Sequence, residues 1–192
     1  MLLTALATVA WAFGIVYATI PPLWLVVHGG IERWRQRSRM RIMAVWPALW
    51  LAAGAATWPW RNAAVYSHGW SWAAAVPFFA VGGWIYYVTH KNFSRGQLIG
   101  RAELEPEKGD QRLVASGLHA RVRHPIYLGH LLMMFGWSIG SGLAVLYALT
   151  AFAIATGAIM IRWEERELVR RFGDAYREYQ QRVPAIVPRW GR

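Results

Sequence analysis

The sequence predicts an all-α, polytopic membrane protein: roughly five transmembrane helices, then an amphipathic helix on the cytoplasmic face. Three observations predict it. Of the 192 residues, 56% are apolar or aromatic and only 16% are charged, against about 25% in an ordinary soluble domain. The stretches 1–31, 42–60, 62–90 and 124–161 hold no Asp, Glu, Lys or Arg, and a bilayer core about 30 Å thick needs about 20 apolar residues per helix. The Lys and Arg are segregated: 20 of the 21 fall in 29–41, 91–123 and 162–192, and Arg61 alone lies in the connection after the second segment.

The expected spans are Leu2–Val27, Ile42–Trp58, Trp70–Thr89, Ile126–Gly140 and Leu143–Ile161. The first has no basic residue ahead of it and a positive cluster behind it, so it reads as a span and not as a cleaved signal. Pro21 and Pro22 are expected to kink it or end it early. Trp46, Trp58, Trp60, Trp70 and Trp72 sit near segment ends, where indole favours the membrane interface. The fourth span starts at Pro125, a favoured first-turn residue. Its Gly136 and Gly140 have the four-residue spacing of close helix packing. Only Gly140-Ser141-Gly142 separates it from the fifth, so the two form an antiparallel hairpin.

The positive-inside rule puts the basic side in the cytoplasm, with the N-terminus outside and the C-terminal tail inside. Topology thus accounts for the net charge of +11, and nucleic acid is not an expected partner. The absence of Cys excludes disulfides, thiolate metal sites and a thiol nucleophile, and no metal site is expected. There is no GxGxxG after a strand, no P-loop, no HExxH and no GxSxG. The length suits a single integral membrane domain, 1–192, with N-terminal transmembrane helices in 1–90 and a core carrying the site in 91–192.

Polar side chains cluster at the cytoplasmic depth. The connection 91–123 holds the acidic patch Glu103, Glu105, Glu107 and Asp110 and leads into Arg121-Val122-Arg123-His124-Pro125-Ile126-Tyr127-Leu128-Gly129-His130. His124 and Tyr127 are three apart and share a helical face. They sit at a helix N-terminus whose unpaired N–H groups and positive dipole end suit a carboxylate. His130 lies deeper, where a hydrogen bond to a neighbouring helix is its simplest role.

The second cluster is Arg162-Trp163-Glu164-Glu165-Arg166-Glu167-Leu168. Beyond it Leu168, Phe172, Tyr176, Tyr179 and Val183 recur every three to four residues, the pattern of an amphipathic helix. Glu165 lies in the middle of that apolar face and Glu164 at its edge. Glu167, Arg170, Asp174, Arg177 and Glu178 fall on the opposite, solvated face. A carboxylate turned to an apolar face needs a partner: Arg121, Arg123, Arg162 or a bound cation.

These residues form an ordered set. Leu113-Val114-x-Ser116-Gly117, Arg123-His124-Pro125-x-Tyr127-x-Gly129, Glu164-Glu165-x-x-Leu168, Phe172-Gly173-x-x-Tyr176-x-x-Tyr179 and Val183-Pro184 resemble the isoprenylcysteine carboxyl methyltransferase family, a relative of the membrane phospholipid methyltransferases. The resemblance covers the C-terminal half. It implies S-adenosyl-L-methionine as cofactor, held without a dinucleotide-type fold. The implied pocket lies between the last two membrane helices, the loop before them and the tail. His124, Pro125 and Tyr127 would line the cofactor, with Gln111, Leu113, Val114 and His119 from the preceding loop. Glu164 matches the cofactor-binding Glu, and Glu165, favoured by the helical wheel, is kept beside it. The family places an Arg slightly upstream of that pair; Met160 stands there, and Arg162 is the nearest substitute. His124 and Arg162 are the implied catalytic residues.

The implied reaction is methyl transfer to a lipophilic acceptor (a prenylcysteine-like carboxylate, a phenolic lipid, an amine or a thiol) that enters from the bilayer. Membrane lipids are the expected surroundings, in the inner or plasma membrane of a bacterium or archaeon. A carboxylate or thiolate acceptor needs no general base, whereas a phenol or amine could pass its proton to His124, His119 or Tyr127. Two other readings stay open: a nicotinamide-dependent sterol-type reductase on a related scaffold, and a non-enzymatic membrane subunit. The latter predicts polar residues through the mid-membrane, of which there are few: His130, Ser138 and Thr150.

Overall fold

The computed structural model describes residues 2–30, 34, 39–92 and 112–188. Among these the regular structure is helical: α1 (Leu2–Gly29), α2 (Arg39–Thr57), α3 (Ser71–Asn92), α4 (Pro125–Ser141), α5 (Ala144–Phe172) and α6 (Asp174–Arg182), with short 3-10 turns at Trp58–Trp60 and Gly117–Ala120. Gln111, Arg33, Arg35, Arg37 and the acidic patch Glu103, Glu105, Glu107 and Asp110 lie outside the described residues.

The protein is an integral membrane protein. Three described helices are long and apolar enough to cross a bilayer, within Thr4–Gly29, Ser71–Thr89 and Ala144–Phe172. The other two expected segments also form helices. Arg39 and Arg41 open α2, and α4 has 17 residues, about 26 Å of helix. Helix α3 packs along α4, α1 along α5, and α2 mainly on α1. Leu51, Val76, Trp84 and Phe152 are exposed, as a lipid-facing surface requires.

Helix α1 continues through Pro21 and Pro22 to Gly29, so the expected early end does not occur. The reason lies on a neighbouring helix. Pro21 has no N–H for the carbonyl of Tyr17, four residues back. That carbonyl is instead met by His130 Nε2 of α4 at 2.7 Å. His130 therefore carries its proton on Nε2, since a carbonyl can only accept. Its ring also packs on Tyr17, with centroids 4.6 Å apart, and the Tyr86 hydroxyl of α3 lies 3.5 Å from Nδ1. One buried imidazole thus joins three helices, the role its position suggested.

The α4–α5 hairpin forms as expected. Gly142 closes α4 at φ +67°, a left-handed conformation that favours glycine. The Leu143–Ala64 bridge sets this turn against the α2–α3 connection, so Arg61 lies at the opposite end from Arg123 and Arg162. Gly136 and Gly140 let α3 approach: a Cβ would stand 2.7 Å from the Phe79 ring and 2.5 Å from that of Trp72. Ser138 and Thr150 share a buried 3.0 Å hydrogen bond between α4 and α5, the polar cement of apolar bundles.

Trp58, Trp60 and Trp70 are exposed as interfacial rings should be. Trp46 and Trp72 are not: Trp46 donates its Nε1 hydrogen to Thr19 Oγ1 at 3.2 Å between α2 and α1, and Trp72 covers Gly140. Two further readings need correction. Helix α5 does not stop near Ile161 but continues to Phe172, so Glu164 and Glu165 ride on the end of a 29-residue helix. The apolar stripe 168–183 is also not one continuous helix. It breaks at Gly173, whose φ of +58° and ψ of −131° are accessible mainly to glycine. The chain turns there and folds Tyr176, Tyr179 and Val183 back onto Leu168, Val169 and Phe172.

Candidate functional site

The backbone brings the polar residues together at one end of the α4–α5 hairpin. His124 ends the loop with φ −120° and ψ +64°, and Pro125 opens α4. The amides of Arg123 and His124 bond the carbonyls of Pro184 and Ala185, both at 2.9 Å. The C-terminal segment therefore pairs with the residues just before α4. The first intrahelical bond of α4 is Leu128 N–H to His124 O at 3.2 Å, which places the positive end of the helix dipole at His124 and Pro125.

Glu165 is the hub of the cluster. Its Oε1 lies 2.7 Å from Arg123 Nε and 2.6 Å from Arg123 Nη2. The same oxygen is 3.1 Å from His124 Nε2, and Gln180 Nε2 donates to Oε2 at 3.1 Å. Arg123, one of the anticipated partners, is the one that answers this carboxylate. Burial pushes the Glu165 carboxyl up, but the hydrogen bonds from His124 and Arg123 and the Arg123 charge outweigh it and hold the group below the usual carboxylate range. Glu164 is less engaged: the Tyr127 hydroxyl donates to its Oε2 at 3.1 Å, and His124 Nδ1 stands 3.7 Å from that oxygen. The His124 and Tyr127 rings stack with centroids 5.6 Å apart.

A cavity of about 400 Å³ opens beside this cluster, lined by Pro21 of α1, Tyr127, His130 and Leu131 of α4, the α5 face from Ala153 to Glu165, and Ala185 and Ile186 of the tail. Its walls are mostly apolar, and the polar side chains among them are Tyr127, His130, Arg162 and Glu165. Tyr127 and Glu165 belong to both cluster and cavity. Arg162 is exposed and lines the cavity, and Met160 is fully buried in its wall.

The loop residues are set differently. Leu113 packs on the Tyr176, Tyr179 and Val183 cluster, and Val114 is half-buried beside it. His119 is buried, and its carbonyl accepts the Tyr179 hydroxyl at 2.5 Å. Burial, with the nearby His124, pushes the His119 imidazole down to about 4. Among the described residues no group of His, Asp or Glu is arranged to hold a metal ion.

Some participants escaped the sequence reading. Gln180 sits three residues before the Val183-Pro184 motif and carries no signal of its own. The tail was legible only as that motif. Glu167 was expected on the solvated face, yet His28 of α1 lies 3.1 Å from its Oε2 and Arg171 3.2 Å from its Oε1. The apolar α1 runs alongside α5 there, so that face is covered. Asp174 and Arg177 do pair in the open.

Residues 70–175 match the family model described as phospholipid methyltransferase, more than half of the chain. The chain belongs to the phospholipid methyltransferase family. The match starts just before α3, upstream of the half in which the motifs lie. Within this family the chain is 41% identical over 96 residues to methanethiol S-methyltransferase 1 of Bradyrhizobium diazoefficiens, covering 50% of this chain and 30% of that protein. It is 39% identical over 95 residues to human protein-S-isoprenylcysteine O-methyltransferase, covering 44% and 31%. The isoprenylcysteine methyltransferase likeness read from the motifs is thereby borne out. It is also 36% identical over 101 residues to mouse Delta(14)-sterol reductase, covering 51% and 24%. The chain spans a third or less of the length of each of these relatives. No solved structure matches it.

Proposed function

We propose that this protein is a membrane methyltransferase that uses S-adenosyl-L-methionine to methylate a lipophilic acceptor. The observation that carries the reading is the meeting of a polar cluster, Tyr127–Glu164–His124, with an apolar cavity at one shared wall. Bound S-adenosylmethionine would supply an electrophilic methyl on a positively charged sulfonium. The residues suit such a group chemically. Glu164 has acceptor capacity to spare for an amino group or ribose hydroxyls. The N-terminus of α4, the positive end of its dipole, suits a carboxylate, and the aromatic faces of His124 and Tyr127 suit a cation.

The cavity is large enough for a small lipid-like molecule, and its wall supports a hydrocarbon-bearing acceptor. Two relatives are named for methylating methanethiol and S-isoprenylcysteine; the apolar volume here favours the more extended of these chemistries. Arg162 in the cavity lining would meet an anionic end of the acceptor, in place of an Arg at Met160. Tyr127, shared by both spaces, would align the reactants, where most of the rate gain of a displacement in a dry site arises. A carboxylate or thiolate acceptor would need no base, and a protic one would hand its proton to His124, or to Tyr127 as the Tyr127 hydroxyl passes its own proton to Glu164. The segregation of basic residues supports a cytoplasmic mouth and an N-terminus outside. Pro21 in the cavity wall supports a single working unit over 1–192, with α1 part of the 91–192 core.

Incubating the purified protein with methyl-labelled S-adenosylmethionine and lipid extract tests this. Label in an organic-soluble product is expected; none, under conditions where the cofactor binds, would remove the lipophilic acceptor. The mouse reductase relative supports a second reading, nicotinamide-dependent reduction, so the same assay includes a reduced-nicotinamide arm.

A further inference from the structure

The guanidinium of Arg123 does more than neutralise a carboxylate. Its Nη1 donates to the carbonyls of Gln180, at 3.1 Å, and Val183, while Nε and Nη2 hold Glu165 Oε1. Its own amide bonds the Pro184 carbonyl at 2.9 Å, and the next amide, of His124, bonds Ala185 at 2.9 Å. These bonds from residue 123 therefore go to α5, to the last turn of α6 and to the chain leaving it. Two residues of that chain, Ala185 and Ile186, are cavity wall. No regular helix or strand fixes them, so their position rests on these bonds and on the Val183 contact with Tyr176 and Tyr179.

We propose that Arg123 is a positioning residue that holds the C-terminal segment Pro184–Ile186 in place as one wall of the acceptor cavity. Its planar fork spans a carboxylate and two carbonyls at once, which a lysine ammonium cannot reproduce. The geometry stands without any assumption about the reaction; the word acceptor rests on the function proposed above.

The absence of Cys from the chain makes a direct test possible. Ala185→Cys reports on the segment, and Leu131→Cys reports on the same cavity from the α4 side. Each is labelled with N-ethylmaleimide in detergent, in the Arg123, Arg123→Lys and Arg123→Gln backgrounds. The expected result is at least tenfold faster labelling at position 185 in Arg123→Gln and a smaller rise in Arg123→Lys, with position 131 changed less than twofold. Equal acceleration at both positions would mean general loosening and would overturn the proposal, as would unchanged labelling at 185. Should Arg123→Gln not fold, Arg123→Lys against the parent gives the same comparison. Calorimetry with S-adenosylmethionine on the parent protein separates the two ideas. Selective labelling without cofactor binding leaves the positioning role intact and removes the methyltransferase reading; cofactor binding with no labelling change does the reverse.

Discussion

The Tyr127 hydroxyl donates to Glu164 Oε2 at 3.1 Å, joining the first turn of α4 to the polar extension of α5. The adjacent carboxylate, Glu165, is held by Arg123, His124 and Gln180. One acid of the pair is thus committed to the fold, and the other keeps lone pairs for a ligand. Glu164→Gln is expected to weaken S-adenosylmethionine binding about 10- to 100-fold, the worth of one hydrogen bond to a charged group, with little change in thermal stability. Tyr127→Phe should cost about tenfold or less. Isothermal titration in detergent, paired with a melting curve, reads both.

Glu165→Ala should behave in the opposite way. It leaves the Arg123 side chain, 10% exposed, without its counter-charge, a loss of about 3 kcal/mol for a largely buried pair. The thermal midpoint in detergent should fall by several degrees, and Glu165→Gln should fall less because it keeps hydrogen-bonding atoms. A midpoint unchanged in Glu165→Ala would show that the cluster does not hold the hairpin and tail together.

His130 and Pro21 make a cycle of their own. His130→Leu leaves the Tyr17 carbonyl without its 2.7 Å partner and should cost about 1–3 kcal/mol. Pro21→Ala supplies the missing backbone N–H, so the double variant should recover most of that loss. Additive melting effects would contradict the pairing.

Acid should act through His119. Its folded-state value of about 4 lies below the ordinary 6.5, so between these values the unfolded chain takes up a proton that the buried site resists. The stability it contributes is full above pH 6.5 and declines as pH falls from 6.5 towards 4. Glu165, also shifted down, loses its contribution at still lower pH, as its carboxyl protonates. His119→Gln should flatten the decline between pH 6.5 and 4 in melting curves. An equally steep decline in the variant would assign it to other groups.

Charge-free runs made the helices legible, and Gly136, Gly140 and Gly142 marked the close contacts of the hairpin. The wheel placed Glu165 on the inner face because an α-helical period does run unbroken to residue 172. It failed beyond Gly173, where a backbone conformation, and not a hydrophobic pattern, redirects the chain. Pro21 misled for a related reason: its penalty is local in sequence, and its relief, His130, is 109 positions away. The tail segment on the cavity wall is held by bonds to its backbone carbonyls, which side-chain identity does not advertise.

The most direct measurement is titration of the detergent-purified protein with S-adenosylmethionine and, separately, with a reduced nicotinamide dinucleotide. The account predicts saturable binding of the first, weakened in Glu164→Gln, and none of the second. Saturable binding of the nicotinamide alone, or S-adenosylmethionine binding indifferent to Glu164, would contradict it.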